Sequence, residues 1–165
     1  MLGYLADRAT KIWALNTLDP ANPPSYLGGF LKLRLIFNPG AAFSLGSNAT
    51  VALSLLASTA FCFVLVGVVP RAVGFWQFLT TGLLLAGISG NLTDRLTRPP
   101  GILRGEVVDF ISLPHFAIFN VADMCITGSA ILICVIVMFT PDESRKAVSH
   151  RSTESQPQRD GARPV

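Results

Sequence analysis

The sequence predicts an all-α integral membrane protein: a four-transmembrane-helix bundle, its first helix truncated at the N-terminus, with a small extracytoplasmic β element. Three observations carry that prediction. Half of the 165 residues are hydrophobic and only 14% are charged, and the mean hydropathy of +0.50 is too apolar for a soluble domain of this size. Three long runs, nearly free of charge, have the length to cross a bilayer. Ahead of them, "FLKLRLIF" alternates apolar and basic residues with the period of a strand.

The elements follow in order. Residues 1–15, "MLGYLADRATKIWAL", are apolar apart from Asp7, Arg8 and Lys11, and too short and charged to cross alone. No long apolar core precedes a small-residue cleavage site, so this is not a signal peptide. It reads as the last turns of a first span whose beginning lies upstream; the alternative is a short helix that thins the bilayer locally. In residues 16–50, rich in Pro and Gly, Leu31, Leu33 and Leu35 alternate with Lys32 and Arg34, which predicts a strand outside the bilayer. Val51–Val69 is the first complete span, and "PRAVG" turns it tightly into the second, residues 74–92, with Trp76 as an interfacial anchor. Residues 95–115, containing "RPPG", form a surface excursion. The last span covers 116–139, interrupted only by Asn120 and Asp123. Pro141 and "DESRK" mark its exit, and 141–165 reads as a disordered basic tail.

Charge sets the orientation. Net charge is +3, but five of the thirteen basic residues follow residue 140, so the basic balance reports a tail and not a nucleic-acid surface. Arg145, Lys146, Arg151, Arg159 and Arg163 in the tail, and Arg71 in the hairpin loop, belong on the cytoplasmic side. Both termini are then cytoplasmic, and 16–50 and 95–115 face outward, against an opposing vote from Lys32, Arg34, Arg95, Arg98 and Arg104. Cys62, Cys125 and Cys134 sit in apolar runs without metal-type spacing and read as small core residues. With two histidines, no HExxH and no phosphate-cradling glycine loop, no metal and no cofactor is expected.

The polar residues inside apolar sequence need a reason. Asn91 and Asp94 are three apart, as are Asn120 and Asp123, so each pair shares a helical face, and both fall at the outer ends of their spans. Hydrogen bonding between helices is the bland account. A buried carboxylate, however, must be neutral, paired or useful. Asp109 in "EVVDF" sits in the loop before the last span, and "SLPHFAIF" is a re-entry able to bring it over Asp123. Two carboxylates in a partly dry site do not both ionise cheaply, which leaves one acid and one base for a shared water. No serine has a His or Lys placed to activate it. Two other classes remain open on these residues: a small membrane transporter or proton-relay subunit using Asp94 and Asp123, and an assembly protein with polar helix contacts only.

"DRATK" (7–11), "FNPGAAFSLG" (37–46), "GNLTDR" (90–95), "GEVVDFI" (105–111) and "FNVAD" (119–123) together resemble the ordered motif set of the lipoprotein signal peptidase family, signal peptidase II. The resemblance implies that residues 1–140 form a membrane-embedded aspartyl peptidase domain. Such a domain removes the signal peptide from diacylglyceryl-modified prolipoproteins by cutting before the lipidated cysteine. It implies that Asp109 and Asp123 are catalytic, with support from Asn91, Asp94, Arg95, Asn120 and Ala122. Asn38 and Gly40 match the motif that lines the substrate cleft, and Asp7 and Lys11 that of the first helix. It implies a monomer in the bacterial cytoplasmic membrane, among membrane lipids, with the site toward the outer leaflet. The chain departs from the family's pattern at Arg8, where many members have Gln, and at Phe37, where many have Arg.

Overall fold

The computed structural model describes residues 1–40 and 47–139; the tail from 140 onward and residues 41–46 of the "FNPGAAFSLG" motif lie outside the described residues. Helix α1 (Leu2–Thr17) stops where Asp19 Oδ1 accepts the Ala21 amide at 2.8 Å, a side-chain turn that Pro20 favours. Its buried face is Asp7, Lys11 and Ala14, at spacings of four and three. Strands β1 (Ser25–Tyr26) and β2 (Leu31–Asn38) pair antiparallel, and β3 (Val107–Ser112) joins the far side of β2, in the order β1-β2-β3. Along β2, register slips by one residue between Leu33 and Ile36: Leu33 faces Ile111, yet Ile36 faces Asp109. That bulge brings Asn38 opposite Val107, diagonal to Asp109 on the same face of the sheet.

Helix α2 (Ser47–Phe63) continues through a wider turn at Val64–Val68 and a tight one at Val69–Arg71. Gly74, at φ +84°, starts α3 (Phe75–Thr97). α4 (Val121–Phe139) is the last described element. Thr50–Arg71 and Val121–Phe139 are long and apolar enough to cross a membrane, with mean hydropathies of 2.4 and 2.3. Only 11% and 17% of their apolar windows is buried inside the protein, the reverse of a soluble core helix.

Two boundaries differ from the sequence reading. α3 runs on to Thr97, past the expected end at 92, so Asp94 is helical, as its spacing from Asn91 implied, and Arg95 is helical and not in the excursion. The last helix starts at Val121 and not at 116. Phe119 exchanges backbone hydrogen bonds with Ile111 at 2.9 and 3.0 Å, and this pairing to β3 outcompetes helix formation over 116–120. The chain divides into two units, Met1–Ile133 and Cys134–Val165, the described part of the second being the end of α4. In the first unit, Ala14 and Leu18 from the end of α1 bury against Phe110 of β3, with Leu33, Leu35, Ile111 and Val121 around them. Trp13 meets Phe110 edge-to-face at 6.3 Å.

Candidate functional site

The start of α4 organises the site. Helix N-termini leave amides without intrahelical partners, and here side chains take them up. Asp123 N–H donates to Asn120 Oδ1 at 3.0 Å, and Asn120 N–H donates to Asp123 Oδ2 at 3.2 Å. This is a reciprocal capping box, so Asn120 and Asp123 do not share a helical face; Asn120 precedes the helix. The next free amide, Ala122 N–H, donates to Asp7 Oδ1 of α1 at 2.9 Å. The role of Ala122 in this geometry is therefore its backbone and its small side chain.

Asn120 also reaches the second aspartate. Its Nδ2 donates to Asp109 Oδ1 at 2.6 Å and to Asn91 Oδ1 at 3.1 Å, while Asn91 Nδ2 donates to Asp123 Oδ1 at 2.7 Å. Asp109 Oδ2 accepts Asn38 Nδ2 at 2.9 Å across the diagonal set by the β2 bulge. Gly40 fixes that amide, donating its N–H to Asn38 Oδ1 at 2.8 Å. Gly40 has φ +103°, and a Cβ there would meet the Leu53 side chain at 2.6 Å, so only glycine fits. Asp109 is 3% exposed. Burial pushes its carboxyl up to about 6; the charge of Asp123 adds to this, while the Asn38 and Asn120 amides and the Lys11 charge oppose it.

Behind the two aspartates lies a knot of buried charge. Lys11 Nζ, fully buried, pairs with Asp7 Oδ2 at 3.0 Å and Asp94 Oδ2 at 2.8 Å and donates to Asn91 Oδ1 at 3.0 Å, while Asp7 Oδ2 has no hydrogen-bond partner among the described residues. Asp94 Oδ1 is held by Arg8 Nη1 and Arg98 Nε, each at 2.7 Å. Close helix approach makes the knot possible. A Cβ at Gly90 would lie 2.5 Å from Asp7 Oδ2 and 2.9 Å from Ala122 Cβ, and one at Gly87 would lie 2.5 Å from Ala122 O.

The structure thus gathers Asp7, Lys11, Asn38, Gly40, Asn91, Asp94, Asp109, Asn120, Ala122 and Asp123 into one connected network. Arg95 stands apart: its charge is within Coulombic reach of Asp109, Asp123 and Asp94, yet its buried Nε has no hydrogen-bond partner among the described residues. Arg8, Arg98, Gly87 and Gly90 are contributors that motif reading leaves out. Arg98 carried a signal, lying four residues after Asp94, whereas the partner of Arg8 is 86 residues away. Beside Asp123 opens an apolar cleft of about 410 Å³, with walls that include Leu113, Phe116, Phe119, Met124, Thr127 and Ile131.

Comparison with known proteins agrees in extent with this network. The family described as Signal peptidase (SPase) II matches residues 1–139. A lipoprotein signal peptidase of Rhodococcus jostii is 41% identical over 151 residues, covering 86% of this chain and 72% of its own. Those of Mycolicibacterium smegmatis and Mycobacterium tuberculosis H37Rv are each 41% identical over 136 residues and 81% of this chain, which spans 56% and 65% of their lengths. A bacterial membrane enzyme solved by the in meso method at 1.9 Å is 26% identical with a TM-score of 0.64, covering 85% of this chain and 90% of that one. A match that begins in α1, ends with α4 and takes in every residue of the network leaves one conclusion: the chain belongs to the signal peptidase II family.

Proposed function

We propose that this chain is an intramembrane aspartyl endopeptidase that removes the signal peptide from diacylglyceryl-modified prolipoproteins, with Asp109 and Asp123 as the catalytic pair. The observation that carries the reading is that one residue, Asn120, holds both carboxylates: Asp109 through its side-chain amide nitrogen, and Asp123 through its backbone N–H in the capping box. Asp109, buried and titrating near 6, carries the shared proton; Asp123, partly open beside the apolar cleft, is the base. Asp123 takes a proton from water as the water oxygen bonds to the scissile carbonyl carbon, and Asp109 gives its proton to the carbonyl oxygen. Collapse of the resulting diol breaks the C–N bond: Asp123 passes its proton to the leaving nitrogen, and a hydroxyl proton returns to Asp109.

The cleft beside Asp123 suits an apolar peptide or acyl segment, and Asn38 and Gly40 support Asp109 from the sheet. Under the charge-derived topology, the sheet and the pair face the outer leaflet and the tail is cytoplasmic. The relay alternative finds little footing at Asp94, whose oxygens already accept from Arg8, Arg98, Lys11 and the Val108 amide. The test is cleavage of a diacylglyceryl-modified precursor by the purified chain. Asp109→Asn and Asp123→Asn each abolish it at normal membrane levels, and the unlipidated precursor is cut far more slowly. Full activity in either variant removes the pair; equal rates on both precursors remove the lipid requirement.

A further inference from the structure

Asp94 is bound from two helices. Arg98 reaches its Oδ1 from the C-cap of α3, while Arg8 crosses to the same oxygen from α1. On the other oxygen, Lys11 is shared between two carboxylates and one neutral amide, the Oδ1 of Asn91. An ammonium binds a carboxylate more strongly than an amide, and the cations that Asp94 receives from Arg8 and Arg98 lessen its pull on Lys11 and favour the amide contact. Asn91 depends on that contact. With Oδ1 engaged by Lys11 and Asn120, its Nδ2 is turned to Asp123 at 2.7 Å. A flip of this amide would set an oxygen against the carboxylate.

Charge counts point the same way. The acids of the cluster are Asp7, Asp94, Asp109 and Asp123, and the bases facing them are Lys11, Arg95, Arg98 and Arg8. Arg8 is the fourth cation facing four acids, of which Asp109 carries the shared proton, and its side chain is 24% exposed where Asp94 is wholly buried.

We infer that Arg8 is a positioning residue for Asp123: by binding Asp94 from α1 it holds Lys11 on Asn91, keeps the Asn91 amide turned toward Asp123, and adds a cation to the cluster. The inference rests on the peptidase reading for its role in catalysis, but not for its geometry. The full chain, reconstituted in lipid, is compared with Arg8→Gln, Arg8→Lys and Arg98→Gln by two readouts. The first is kcat and KM on a diacylglyceryl-modified precursor. The second is infrared titration of the Asp109 carboxyl, assigned by its loss in Asp109→Asn.

In Arg8→Gln, kcat falls about tenfold with KM little changed, and the Asp109 midpoint rises by about half a pH unit because the cluster has lost a cation. Arg8→Lys recovers most of both, since it restores the charge. Arg98→Gln, which removes the other ligand of the same oxygen, acts in the same direction and serves should Arg8→Gln fail to fold. An unmoved midpoint in both glutamine variants overturns the inference, as does an Arg8→Lys variant as impaired as Arg8→Gln. If the unaltered chain cleaves nothing, the peptidase reading falls while the titration still decides the effect of the added cation.

Discussion

Asn120 has two amide atoms and uses both on the aspartates: the nitrogen for Asp109 and Asn91, the oxygen for the Asp123 amide. No other residue type of that size offers a donor and an acceptor in one plane. Around Asp109, the buried environment that makes the carboxyl useful also makes it a liability to the fold. Its ordinary value is 3.8 and its folded value is about 6. Between those values the unfolded chain has released a proton that the folded chain still holds. Stability therefore falls as pH rises through that window, by about 3 kcal/mol in total. Thermal unfolding in detergent, measured from pH 3.5 to 7 (roughly the span over which both forms titrate), is expected to show this decline. The decline disappears in Asp109→Asn, where no proton is exchanged; an identical slope in that variant removes the assignment.

Among the helices, α3 meets its neighbours through absent side chains. Gly90→Ala places a methyl against Asp7 and Ala122, and is expected to destabilise the protein by about 2 kcal/mol and to cost most of the activity, because Asp7 must leave the Ala122 amide. Gly82, on the same helix, has nothing within 4 Å of its would-be Cβ. Gly82→Ala is expected to be neutral or to stabilise by up to about 1 kcal/mol through helix propensity. Melting temperatures of the two variants in one detergent distinguish packing from a general intolerance of substitution.

These elements differ in how legible they are in sequence. The apolar length of 51–69 and the period-two alternation at 31–35 are local signals, and α2 with its following turns and β2 occupy those stretches within a few residues. The start of α4 is not local. An Asn and an Asp three apart fit a helical face and a capping box equally, and what decides is Phe119 pairing with Ile111, a contact the sequence does not announce. The aspartates stood out because carboxylates in apolar sequence demand explanation. Arg8 did not, because a cation at the end of an apolar run looks solvated until Asp94 is found beside it. Gly87 carried no signal, and Gly90 entered only as the first residue of "GNLTDR".

For the molecule as a whole, the two strongly apolar helices carry their large side chains outward, Phe63, Val66, Ile131 and Val137 among them. Cys62 on α2 and Cys134 on α4 are exposed on such surfaces, whereas Cys125 is buried. In intact membranes both exposed thiols are expected to react with a lipid-soluble maleimide and to resist a charged one from either side, while Cys125 reacts with neither until the protein unfolds. Rapid labelling of Cys62 by the charged reagent would place α2 in water. The ion pairs carry a consequence for how such a chain is made. Asp7 pairs with Lys11 on α1, and Asp94 of α3 with Arg98 at its C-cap, each four residues apart in sequence. Each charged helix brings a counter-ion with it, so neither acid enters lipid as a bare anion while the ribosome is still delivering the other. The bonds between α1, α3 and α4 then add to these pairs rather than bury a bare charge, and the site is completed when the helices meet.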